Sequence, residues 1–266
     1  MIAPSIFSQP VLAGFSTRKG GVSPSPYESL NLGLSTTDSN ENVLKNRSLA
    51  SGYFGLTPDN MAIAGQVHGS DVLVVEKPGL YQGFDGLVTN QSDLLLSISA
   101  ADCAAILLAD AQTNTIGACH AGWRGHVDGV IDNSIDQMIN LGADPARIRA
   151  YVSPCISAKH FEVGEEVAAQ FSSSFVERRP HWPKPHINLT ASIFANLVRC
   201  GVQSHHIECS SQCTTANSDL FFSHRGQNGV TGRMMGFICT STTSRTHASR
   251  AYLLDKPVAS SVQKAR

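Results

Sequence analysis

Two runs rich in isoleucine, leucine and alanine, Ala104 to Asp110 and Thr115 to His120, flank the turn-like stretch Asp110-Ala111-Gln112-Thr113-Asn114. So short a polar connection folds the two runs back on each other as a hairpin. The fold-back brings Cys103, just ahead of the first run, to the same open end as His120, the last residue of the second. Cross-strand neighbours hold their Cβ atoms about 4.5–5.5 Å apart, near enough for two side chains to share one metal ion. The sequence leaves the register open, and a slip of one residue would turn one of the two side chains away. Strand alternation also turns Cys119 away from His120 and into the core.

Around this hairpin the chain carries short β runs and a few helices. Val11 to Thr17, Met61 to Val67, Val72 to Glu76, Gly86 to Thr89 and Leu94 to Ser99 are β-type runs, as are Arg149 to Val152, Ile207 to Ser210, Leu220 to Ser223 and Met234 to Thr240. Ser39 is placed to cap a helix with Val43, Leu44 and Leu49 that ends before Gly55. Gly122 to Gly125 interrupts the strand pattern. Val127, Val130, Ile131, Ile135, Met138, Ile139 and Leu141 then recur at helical spacing up to Gly142. Glu165 to Phe171 predicts a helix, and Thr190 is the expected cap of another holding Ile193, Leu197 and Val198. This mixture predicts an α/β (α+β) fold with mostly antiparallel sheets in a single domain over residues 1–240. The polar remainder, residues 241–266, contains Pro257 and no sustained period, and is expected to be partly ordered at best.

Composition excludes several classes of function. With 42% hydrophobic residues in 266, the chain has apolar material for a large core. A formal net charge of -1 gives no field to gather nucleic acid or anionic membrane, so any bound anion must be held by a few placed residues. No stretch nears the ~18 consecutive apolar residues of a membrane-spanning helix. Met1 to Pro10 lacks the basic start and apolar run of an export signal. The 7 cysteines therefore predict reduced thiols in a cytoplasmic protein.

His68 is a third candidate ligand, in Gln66-Val67-His68-Gly69, where a strand ends and glycine loosens the backbone. Two imidazoles and one thiolate suit zinc. Three protein ligands leave a position for water or substrate, which is the catalytic arrangement rather than the closed structural one. Spacing alone also accommodates a plain loop histidine at 68 and an inert core thiol at 103. His205, His206, Cys209 and Cys213 form a second candidate cluster, but a strand over Ile207 to Ser210 would splay His206 and Cys209 onto opposite faces. His181 and His186, around Trp182 and two prolines, predict a surface loop. Lys19-Gly20-Gly21 lacks the Gly-Lys-Ser/Thr ending of a phosphate-binding P-loop.

Longer motifs recur in a fixed order. Phe15-Ser16-Thr17-Arg18-Lys19-Gly20-Gly21-Val22-Ser23 and Ser29-Leu30-Asn31-Leu32-Gly33 come first, then Gln66-Val67-His68-Gly69 and Asp85-Gly86-Leu87-Val88-Thr89. Ala101-Asp102-Cys103 and His120-Ala121-Gly122-Trp123-Arg124-Gly125 follow. Phe161-Glu162-Val163-Gly164, Cys213-Thr214, Phe222-Ser223-His224-Arg225 and Thr231-Gly232-Arg233 complete the series. Over roughly Val11 to Ile238 the chain resembles the multicopper-oxidase-like laccase-domain (YfiH) family. The resemblance implies two β-layers flanked by helices (α/β/β/α), and a zinc site whose ligands match His68, Cys103 and His120, with copper as the lesser alternative. Members were once described as polyphenol oxidases or laccases. The resemblance implies instead a purine nucleoside phosphorylase acting on adenosine, inosine, guanosine and methylthioadenosine, with adenosine deaminase activity. Purine nucleosides and inorganic phosphate are then the expected partners, with neither nucleic acid nor membrane. Cys155, in Ser153-Pro154-Cys155-Ile156, departs from the family's more usual Gly-Pro start and small residue.

Phosphorolysis sets phosphate against ribose C1′ while an oxocarbenium-like centre develops, so positioning and electrostatics supply most of the gain. Arg18 and Arg124, beside the motif loops, are the candidates to grip phosphate bidentately, and a structural ion pair is the plainer role for either. Deamination needs an activated water and a carboxylate proton shuttle. Asp102 is the candidate shuttle, or else it orients a metal ligand from behind. Asn31 and Gln66 are candidates to bind ribose or base, or else to cap turns. A rival reading makes Cys103 the nucleophile and His120 the base of a cysteine hydrolase or deamidase; His68 argues against it, since a dyad needs no third metal-type ligand. A copper polyphenol oxidase would need paired His-x-His motifs, and the 10 histidines include none. Metal storage or sensing fits an open three-ligand site flanked by arginines poorly.

Overall fold

The structure, a computed structural model, describes residues 1–242, so the expectation for the tail falls outside the described residues except at Ser241 and Thr242. The chain runs through β1 (Val11–Phe15), α1 (Asn40–Gly52), β2 (Met61–Gly65), β3 (Val72–Val74), β4 (Gly79–Gln82), β5 (Gly86–Thr89) and β6 (Leu95–Ala100). The hairpin β7 (Ala104–Asp110) and β8 (Thr115–Ala121) follows, then α2 (Trp123–Val127), α3 (Val130–Asn140) and β9 (Arg149–Val152). Last come α4 (Glu165–Ala168), β10 (Val176–Glu177), β11 (His186–Ile187), α5 (Leu189–Arg199), β12 (Ile207–Cys209) and β13 (Met234–Thr240). One sheet has the order β1-β13-β6-β2-β4 and the other β12-β9-β7-β8-β5-β3, with β10-β11 a separate small ribbon.

Every residue of β7 and β8 is buried, because both faces of the hairpin are covered. Ala105, Leu107 and Ala109 pack with Leu96, Ile98 and Ile238 of the other sheet. Ala104, Ile106 and Leu108 pack with Ile131, Ile135 and Met138 of α3 and Ile193 and Leu197 of α5. That two-sided burial is why the runs read as continuously apolar rather than alternating. The outer face of the first sheet carries Leu95, Met235 and Phe237 against Ala50 of α1 and neighbouring Phe54. The layers are thus helix, sheet, sheet, helices.

The sheets are mixed rather than mostly antiparallel. β2 pairs parallel with both β4 and β6, β3 with β5, and β9 with β12. From β2 to β7 the chain crosses from one sheet to the other at each step. A strand that returns after a detour through the opposite sheet re-enters in the same direction. Other boundaries also shift. Asn188, not Thr190, caps α5, its side chain accepting from Ala191 N at 3.1 Å. Leu220 to Ser223 forms no strand: Phe221 and Phe222 are fully buried, but the backbone closes a local turn onto Asn217 O. Among the described residues no helix is long and apolar enough to cross a membrane.

Candidate active site

His68 lies on the crossover from β2 to β3 with a left-handed backbone (φ 63°), Cys103 on the crossover from β6 to β7, and His120 near the end of β8. Their ligand atoms all lie within 4.8 Å of one another, and the two imidazole rings meet edge to face with centroids 4.8 Å apart. The hairpin pairs Ala104 with Ala121, so Cys103 emerges just beyond the ladder, level with Gly122. A Cβ at Gly122 would stand 3.0 Å from Cys103 Sγ, 3.2 Å from His68 Nδ1 and 3.5 Å from His120 Cε1. Glycine keeps open a hollow that all three donors face.

Asp85 organises this trio, a role that sequence reasoning did not assign. It is fully buried and takes four hydrogen bonds. Oδ2 accepts from Val67 N at 2.9 Å and Gly69 N at 2.8 Å. Oδ1 accepts from His68 N at 3.1 Å and bonds His120 Nδ1 at 2.8 Å. One carboxylate therefore shapes the backbone turn that presents His68 and fixes the ring of His120. Its burial raises its pKa, but these bonds outweigh that and hold the carboxyl below its usual range. With Nδ1 donating to Asp85, His120 offers Nε2 to a metal once that nitrogen gives up its proton.

The electrostatics prepare the thiol for ligation. Burial pushes Cys103 up, but hydrogen bonds and charge from His120 and His68 outweigh it and lower the thiol to about 6. Burial pushes His120 down, and Cys103 and Asp85 overcome that, raising it to about 9. Cys119 and Cys155, buried without such neighbours, are pushed up to about 12. Cys103 alone among these three is set up as a thiolate.

The trio opens into a cavity of about 570 Å³, within the range of small-molecule sites. Trp123, Phe161 and Leu80 supply apolar wall, and Arg47, Arg225 and Arg233 supply positive charge. Gln66 and Asp102 also line it. Gln66 is held by its amide, which exchanges two bonds with the backbone of Ser99 (2.9 and 2.8 Å). Asp102, with φ 85°, accepts from Thr214 Oγ1 at 2.6 Å and Arg225 N at 2.7 Å.

Three expected substrate residues lie off the cavity wall. Arg18 binds the carbonyls of Glu28 (2.7 Å) and Ser218 (2.8 Å) and covers the ring of Phe222. Arg124 is exposed and stacks on Trp123, 4.3 Å from the ring centroid. Asn31 is fully buried, bonding Thr36, Asp38, Gly33 N and Arg233 N. The cavity's arginines come from two distant stretches, Arg47 from one and Arg225 and Arg233 from the other, which no local spacing could join; Arg225 and Arg233 do fall within the motifs noted above. Nor are His205, His206, Cys209 and Cys213 gathered: among the described residues only His68, Cys103 and His120 form a metal-capable group of three. His186, expected in a surface loop, is buried in β11 and stacks on Trp182.

A family model described as multi-copper polyphenol oxidoreductase laccase matches residues 12–241. The chain belongs to this laccase family. A purine nucleoside phosphorylase of Deinococcus radiodurans is 40% identical over 229 residues, 84% of this chain and 87% of that protein. Purine nucleoside phosphorylase YlmD of Bacillus subtilis is 32% identical over 244 residues, 86% of this chain and 88% of that protein. The crystal structure of YlmD from Geobacillus stearothermophilus matches with a TM-score of 0.84 at 29% identity, covering 90% of this chain and 94% of that one. The Bacillus licheniformis protein YfiH matches at 0.81 and 30% identity, covering 87% and 93%. These structures support the α/β architecture with two sheets and flanking helices. The family's description as a multi-copper laccase fits the donor set poorly: among the described residues one His/Cys/His group with a glycine-lined hollow suits a single borderline ion.

Proposed function

We propose that this protein is a zinc-dependent purine nucleoside phosphorylase that also deaminates adenosine. The observation that carries the reading is the open His68/Cys103/His120 trio facing a nucleoside-sized cavity, in a chain whose relatives are named purine nucleoside phosphorylases. In the reaction a phosphate oxygen bonds to C1′ of the ribose as the C1′–N9 bond breaks. The bonding pair leaves with the base, and the proton of hydrogen phosphate ends on the purine. A zinc ion held by the trio would supply a Lewis-acid centre with one position open.

The chain's own residues do the rest. Trp123 and Phe161 offer flat apolar surface to the purine. Asp85 keeps both histidines in place, and Gln66 braces the cavity wall through Ser99. Asp102 positions the Cys103 turn; as a proton carrier in deamination it would first have to exchange a bond from Thr214 or Arg225. A cytoplasmic setting agrees with seven free cysteines.

Purified protein incubated with adenosine, with and without phosphate, tests this. Phosphate-dependent adenine and ribose 1-phosphate, lost in His68→Ala and Cys103→Ala, are expected, together with phosphate-independent inosine. Wild type as inactive as both variants would sink the reading. The lowered Cys103 thiol also favours one alternative, a Cys103/His120 hydrolase. Activity that survives chelation but not thiol alkylation would establish that alternative.

A further inference from the structure

Three guanidinium groups line the cavity without an ion-pair partner among the described residues; Arg225 is exposed and spent on the carbonyls of His160 and Glu162, whereas Arg47 and Arg233 are buried or half-buried. Arg47, on α1, is 8% exposed and uses Nε on Leu32 O at 3.0 Å. Arg233, just ahead of β13, uses Nη1 on the carbonyls of Thr231 (2.9 Å) and Gly232 (3.0 Å). Both anchor on one short stretch. Leu32 N donates to Arg233 O at 3.0 Å while Leu32 O accepts from Arg47. Gly33 lies so close to the stem of Arg233 that a Cβ there would approach Cγ to 2.5 Å. The two cations therefore share one wall of the cavity, beside Ser35.

Burial of a charge is unfavourable unless a partner answers it. Arg147, Arg178, Arg179 and Arg199 each have a carboxylate within ion-pair reach. Among the described residues Arg47 and Arg233 have none. Burial depresses both guanidinium groups. The negative groups that act on Arg233 are Cys103, Asp102 and Tyr27. Cys103 belongs to the metal trio, and both oxygens of Asp102 are occupied by Thr214 and Arg225 N. What is missing is an anion.

We propose that Arg47 and Arg233 form the binding site for inorganic phosphate in the same cavity as the metal trio. Two planar donor forks on one wall suit a tetrahedral oxyanion better than they suit a neutral ribose or base. The identity of the ligand as co-substrate rests on the phosphorylase reading; the case for an anion rests on two withdrawn guanidinium groups with no carboxylate in ion-pair reach among the described residues. Neither Arg18 nor Arg124 can substitute, because neither lines the cavity.

Calorimetric titration of inorganic phosphate into the metal-loaded protein, without nucleoside, tests the site. Arg47→Gln and Arg233→Gln should each raise the phosphate Kd by about tenfold to a hundredfold. Arg47→Lys and Arg233→Lys, which keep the charge but not the fork, should fall between, and melting curves identify any variant that fails to fold. In turnover the phosphate KM should rise while the nucleoside KM holds. An unchanged phosphate Kd in every folded variant would place the anion elsewhere in the cavity, on the metal or on Arg225, and overturn the proposal. So would adenosine 5′-monophosphate binding through the pair while inorganic phosphate does not. Phosphate bound through the pair without phosphorolysis of any purine nucleoside would sink the phosphorylase reading and leave this site standing. Phosphorolysis with an unaltered phosphate KM in the variants would do the reverse.

Discussion

A single buried carboxylate positions two members of the proposed metal trio. Asp85 answers four donors with two oxygens: Val67 N and Gly69 N on one, His68 N and His120 Nδ1 on the other. An asparagine keeps only one of those oxygens, and its amide then points N–H groups at donors. If the amide faces His120, Nδ1 must accept, the ring proton moves to Nε2, and the lone pair intended for the metal is lost. Asp85→Asn should weaken zinc binding about tenfold to a hundredfold in competition with a chromophoric chelator. Unchanged affinity would mean that the trio does not depend on Asp85. Of this the sequence offered the three candidate ligands but not their organiser. Asp85 stood out only inside a motif, because its partners are 16 to 35 positions away along the chain. Cys119 was legible for the opposite reason, since strand alternation alone turns it from the site into the core.

At the scale of elements, α2 is the piece that carries Trp123 to the cavity, and it is only five residues long. So short a helix has little stability of its own. It is tied down by His126, whose Nε2 lies 2.7 Å from Ser192 Oγ on α5 and whose ring stacks on Phe171. Burial lowers His126 from 6.5 to about 4, with Asp132 raising it and Arg199 lowering it to a smaller extent. The unfolded chain therefore binds this proton more readily than the native one. The stabilising contribution is whole above pH 6.5 and is lost as the pH falls towards 4, by up to about 3 kcal/mol. Urea unfolding of His126→Gln should show a shallower decline than wild type across that window; parallel curves would refute the assignment. The helix itself was hard to foresee, because the glycines of Gly122 to Gly125 break any periodic signal. β4 was missed for a related reason: its residues are largely exposed and show no alternation, and it exists through its parallel pairing with β2.

Across the whole molecule, the apolar core is built from residues other than the candidate metal trio. The three apolar clusters close without contributions from His68, Cys103 or His120. Asp85 shapes the site through hydrogen bonds of the protein itself. This differs from small zinc modules, in which metal binding and folding are one event. On the proposed reading, removing the metal with a chelator should abolish phosphorolysis and leave the far-ultraviolet circular dichroism unchanged. The melting temperature should fall by only about 5–10 °C from a state with metal at a hundredfold excess over Kd. Collapse of the dichroism would contradict a preformed site. Layer order was legible through the resemblance and the continuous apolar hairpin, whereas strand direction was not. Direction depends on which sheet the chain visits next, a fact recorded in no local pattern.

His68 and Cys103 both lie where the chain passes from the first sheet to the second, and His120 ends a strand of the second. Neither layer owns a continuous stretch of sequence between β2 and β7. Neither sheet can therefore be exchanged as a unit: replacing one layer cuts the chain on both sides of His68 and Cys103 and parts the three side chains from one another.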